Sequence, residues 1–122
     1  MSAQLHHEQN DVYRLDVAGR LSAAEFDAAG KGLIEGMSRS PNGTVRLLVV
    51  LQPEFAGWDP GSNWSNLTFY VRHGERLAKI AIVGDEQWRD HALMFSAAGL
   101  RRSPVEYFPT TAIDAAREWL AR

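Results

Sequence analysis

The chain contains no cysteine. That absence excludes disulfides, thiol catalysis and thiolate metal sites. Nor is there an excess of basic charge: 13 Lys and Arg stand against 15 Asp and Glu, for a net charge of −2. Nucleic acids select strongly basic surfaces, so neither DNA nor RNA is an expected partner. The apolar runs fall far short of the roughly 20 residues that cross a bilayer. The first ten residues, MSAQLHHEQN, have neither the basic flank nor the apolar core of a signal peptide, and a cytoplasmic protein is the expectation. Repeats and low-complexity tracts are missing as well.

What is present suits one domain over residues 1–122, long enough for one sheet with helices packed on it. The most informative stretch is RLAKIAIVGDEQW at 76–88. Lys79 to Val83 is almost unbroken apolar sequence, the mark of a strand covered on both faces. Gly84 breaks it, Asp85 can cap a helix, and Trp88 falls in that helix's first turn. Val45 to Leu51 and the region from Val105 to Thr111 repeat this strand-then-helix grammar, which predicts an α/β sheet with helices above and below.

Tyr13, Leu15 and Val17 alternate with polar or small residues, as in a strand with one buried face, and Leu5 to Gln9 can pair with it as an edge strand. Gly19-Arg20 is expected to end this region. Ser22 and Glu25 then have capping-box spacing, opening a helix that buries Phe26, Ala29, Leu33 and Met37 and stops in the Ser38 to Gly43 region. The stretch from Pro53 to Gly61 reads as an irregular loop, its glycines able to serve as hinges. Further helices are expected from Asn63 towards Arg76, from Asp85 to about Ala98, and from about Thr111 to Ala121, where Thr111 and Asp114 resemble a second capping pair.

Four segments in order are similar to the small bacterial SpoIIAA-like proteins, relatives of the STAS and SEC14 (CRAL-TRIO) domains. They are GRLSAAEF at 19–26, VRLLVVL with the following GW at 57–58, RLAKIAIVGDEQW at 76–88, and YFPTTAIDAAREWL at 107–120. The resemblance implies a mixed β-sheet of four to five strands flanked by about four helices. It implies little about activity, since relatives include both anti-sigma-factor antagonists and carriers of lipid-like molecules. Antagonists of this type resemble one another in an Asp-Ser-Ser-Gly turn that is phosphorylated at a helix N-terminus. The matching loop here, Gly57 to Trp64, lacks that motif, although Ser62 and Ser65 lie close by. A helix cap by Asp59 or Ser62 is the favoured reading.

The helix after this loop is the functional lead. Trp64, Leu67, Tyr70, Val71 and Leu77 share one stripe at about 100° per residue, which reads as core. Phe69 falls outside it with Ser65, Arg72 and Arg76, a combination that suits a dimer contact, a ligand mouth or a membrane surface. Phe55 and Trp58 can join that surface, or Trp58 can plug the end of the core. The expected ligand-binding set is Phe55, Trp58, Trp64, Phe69, Tyr70 and His73, with Phe69, Arg72 and Arg76 meeting an interface or a headgroup.

Chemistry candidates are thin. His6 and His7 point to opposite faces of a strand. His73 and His91 have no partner at ligand spacing, and His91 reads as a partly buried helix residue. Gly84-Asp85 lacks the glycines that cradle a phosphate. No catalytic residue, metal or cofactor is therefore expected. The reading is a binding protein, a homodimer, for a small apolar or lipid-like ligand. The alternative is a STAS-type interaction module, whose helix docks a protein partner or a second copy.

Overall fold

The computed structural model describes residues 3–59, 76–95 and 104–122. They form a five-stranded sheet whose order follows the sequence: β1 (Ala3–Gln9), β2 (Val12–Leu21), β3 (Val45–Trp58), β4 (Leu77–Gly84) and β5 (Val105–Pro109). β1 runs antiparallel to β2, and the remaining pairs are parallel, so the sheet is mixed. Three α-helices are described: α1 (Ala23–Arg39), α2 (Arg89–Phe95) and α3 (Ile113–Ala121). The helix expected between β3 and β4 lies outside the described residues. None of the described helices is long and apolar enough to cross a membrane.

The two faces of the sheet have separate cores. On the first, Leu15, Val17, Leu47, Ile80 and Ile82 meet Phe26, Leu33 and Met37 of α1 and Ala92 of α2. On the second, Leu48, Val50, Ala81 and Val83 meet Ala116 and Leu120 of α3. The unbroken apolar runs of β3 and β4 have this cause: alternate residues feed different cores. β2 is covered mainly on the first face and keeps the alternating pattern, with Leu15 and Val17 buried and Arg14 and Asp16 opposite.

Side-chain chemistry fixes the helix starts. The Ser22 hydroxyl oxygen accepts the Glu25 N–H at 3.2 Å, and the hydroxyl donates to the Glu25 carboxylate at 2.9 Å. One orphan N–H at the α1 start is thereby satisfied, and the second bond joins the two side chains rather than the carboxylate to the Ser22 N–H. Asp85 accepts the Gln87 N–H at 3.0 Å and opens a 3₁₀ turn, Glu86–Trp88, that runs into α2. The expected Thr111–Asp114 pair does not form. α3 begins instead after a 3₁₀ turn over Thr110–Ala112, with Ala112 at its cap and no side-chain bond there, while Asp114 takes the Arg117 guanidinium. Its last turn is held by the sheet: Arg46 of β3 donates to the Leu120 carbonyl, and Lys79 of β4 to the Trp119 carbonyl at 3.0 Å. Cations suit that negative end of the helix dipole. Gly36 lets α1 lie close on β2, because a Cβ there would fall 2.5 Å from the Tyr13 ring.

Two strands outrun their expected ends. β2 continues through Gly19-Arg20 to Leu21, and β3 continues through Pro53 to Trp58. Residues 53–58 are therefore strand, not the hinge loop expected there. Past Val50, β3 has no further register partner in β4, so its tip pairs with β2 alone. A strand with one partner tolerates proline, which cannot donate to a second ladder.

Candidate functional site

The β3 tip carries three more residues than the β2 segment it faces. Val17 lies opposite Leu51 and Leu21 opposite Trp58, with register shifts on both sides of Gly19. Such bulges bend a strand and re-aim its side chains. Gly57 completes the bend at φ +102°, a conformation L side chains rarely adopt. The outcome is that Phe55 and Trp58, which strict alternation would send to opposite faces, both turn onto the first face. Their rings meet edge-on with centroids 5.2 Å apart. Trp88 closes the cluster, 5.0 Å from Phe55 and 6.2 Å from Trp58.

Beneath these rings lies an apolar cavity of about 50 Å³. Its floor is the first face of the sheet, from Leu15, Val17, Leu47, Leu51, Ile80 and Ile82. Leu21, Phe26 and Ala92 wall it, and Phe55 and Trp58 stand at the carboxyl end of the strands. None of the described lining side chains ionises, and the Trp58 indole N–H is the sole hydrogen-bonding group among them. In open α/β sheets ligands bind at this carboxyl edge.

Of the residues singled out in the sequence, Phe55 and Trp58 line this cavity. Phe55 is buried at 5% exposure and belongs to the core, not to an outer aromatic surface. Trp58 is half-buried and plugs the core's end. Arg76 is exposed just before β4, at the amino edge of the sheet, so the fold does not bring it to the cavity mouth. Trp64, Phe69, Tyr70, Arg72 and His73 lie outside the described residues. His91 is exposed, not partly buried, with its ring 6.4 Å from that of Trp58. The floor residues escaped sequence reasoning because only the strand order places Leu15 and Ile80 over one space. Apolar alternation marks them as core and says nothing of a gap.

Tyr107 of β5 packs against the first-face core. Its hydroxyl donates to the Asp85 carbonyl at 2.6 Å. Burial, then the charges of Asp85 and Glu86, push its pKa up to about 12. A loss of the phenolic proton would place an anion beside two carboxylates.

The second face carries a different arrangement where it extends beyond α3 over β1 and β2. Asp16 accepts from Arg14 at 2.9 Å and from Gln52 at 2.8 Å, with His6 at 3.4 Å. Glu8 accepts from Arg117 at 3.0 and 3.3 Å and has Arg14 at 3.9 Å. The hydrogen bonds that Arg117 donates to Glu8 raise its already high pKa. His7 lies on the opposite face, stacked on Tyr13 at 4.7 Å. Among the described residues, no group of three or more His, Asp and Glu side chains is placed to hold a metal ion.

Comparison with known proteins fits this architecture. A solved structure from Shewanella loihica PV-4, an uncharacterised protein of the DUF3478 family with a SpoIIAA-like fold, superposes with a TM-score of 0.69. The two chains share 18% identity over 97% of this chain and 91% of the other, so the likeness shows the fold alone. Among curated proteins, none matches. The SpoIIAA-like family profile matches residues 12–121, from the start of β2 to the end of α3. On that match, spanning nearly the whole sheet and all three described helices, the chain belongs to the SpoIIAA-like family.

Proposed function

We propose that the chain is a non-catalytic binding protein that holds a small apolar molecule between its sheet and the α1 and α2 helices. The cavity at the carboxyl edge carries this reading, through a described lining that offers apolar contact and no acid, base or nucleophile. Apolar cavities stay dry and take apolar guests; one of about 150 Å³ holds benzene. The space here, about 50 Å³, suits a guest of only a few heavy atoms while Trp58 stays in place. A longer, lipid-like molecule requires the indole to move.

Native mass spectrometry of protein purified from its own host tests the proposal. The expected result is a small extra mass that denaturation releases, and that an Ala92→Leu variant, filling the cavity from α2, no longer carries. A bare chain that also ignores added apolar probes would overturn it.

A STAS-type interaction module is a second reading with its own support. No described helix covers the second face over β1 and β2, and that surface is polar, with His6 half exposed. Sedimentation of a His6→Glu variant, altered on that surface, separates the two readings. Loss of a dimer with the released mass retained would favour the interaction module for that surface, whereas an unchanged assembly state would count against it.

A further inference from the structure

We infer that Trp58 is the size-determining residue of the cavity: the bulged β3 tip sets its indole as a stop that limits the length of the apolar guest. The inference rests on the binding function proposed above and assigns the specificity of that site. Three observations converge on this side chain. The three additional residues of the β3 tip and the positive φ of Gly57 turn Trp58 inward. The stop is then backed from outside. Trp88 packs edge-on against both Phe55 and Trp58, and it reaches so close to Gly57 that a Cβ there would lie 3.3 Å from its ring. Finally, Trp58 spans from cavity to solvent, being half-buried, whereas the neighbouring Phe55 is buried outright.

The other walls are poor candidates for this role. Sheet residues such as Val17 and Ile80 are fixed by ladders on both sides, so the floor cannot recede. Phe26 and Ala92 line the cavity from α1 and α2, whereas Trp58 stands at the carboxyl end of the strands. Shortening Trp58 therefore extends the space along the strand direction by the length of an indole.

A series of straight-chain alcohols of rising length, titrated against the whole chain by ligand-observed NMR, tests the stop. While each added methylene still fits, affinity rises about fourfold, the equivalent of the roughly 0.8 kcal/mol released per buried methylene. In the native chain this rise ends at a short cut-off. Trp58→Ala moves the cut-off to longer alcohols and lets indole itself bind. Trp58→Phe, which keeps a ring should the alanine variant fail to fold, moves it by a smaller step. Trp119→Phe, an aromatic change on the other face of the sheet, leaves the cut-off in place.

A cut-off unchanged in both Trp58 variants overturns the stop and leaves the binding function standing. Uptake by Trp58→Ala but not by the native chain supports the stop and removes the binding function. If neither chain takes up any alcohol or indole, both fall.

Discussion

Tyr107 shows how one side chain can report on the folded state. Its pKa lies near 12 in the folded chain against an ordinary 10, so the folded state holds the phenolic proton more tightly than the unfolded state does. Stability from this group is complete below pH 10 and is lost as pH rises through 12. Urea unfolding at pH 9 and pH 11 checks this: the native chain loses stability between the two, and Tyr107→Phe loses less. Absorbance at the tyrosinate band locates the ionisation independently. The phenylalanine variant also gives up the bond to the Asp85 carbonyl, so its stability at neutral pH is expected to fall slightly.

Elements differ in how far their local sequence determines them. Ser22 is the cleanest case, because its hydroxyl and Glu25 close the α1 start from residues only three apart. Ser22→Ala is expected to cost about 1 kcal/mol, measured by denaturant unfolding, with the helix still formed. Such short-range chemistry was legible, as were the apolar runs of β3 and β4, whose composition reflects burial on both faces. The β3 tip was not. Pro53, Gly57 and the mixed polarity between them carry the signature of a loop, and strand structure there comes from pairing with β2. The start of α3 misled for a related reason: Thr111 and Asp114 have capping spacing, but the 3₁₀ turn moves the helix start past them. Phe55 and Trp58 stood out in the sequence as aromatics, whereas the cavity they line arises from strand order and from the bulge.

At the scale of the molecule, the two faces are unequal. The first is covered by α1 and α2 and holds the cavity; among the described residues, the core of the second depends on a single helix, α3. Leu120 is fully buried there, and Arg46 and Lys79 fasten the helix end above it. Leu120→Ala is expected to cost about 2–5 kcal/mol and to expose Leu48 and Val50, seen as a lower urea midpoint and increased binding of a hydrophobic dye. The same helix reaches along the second face to the edge strand β1 through Arg117 and Glu8, an ion pair between residues 109 positions apart. Family membership is legible at this scale too, because three of the four matching segments are strand-helix junctions and the other is β3, at the centre of the sheet.

The packing of Trp58 on Trp88 has a spectroscopic consequence. With centroids 6.2 Å apart and planes inclined by 74°, the two indoles lie close enough for their electronic transitions to couple. A coupled pair produces a split band in circular dichroism that vanishes when either ring turns away. The chain thus holds an intrinsic optical signal of whether its cavity is shut, readable without a dye or label, and a guest long enough to push Trp58 aside would announce its arrival by erasing that band.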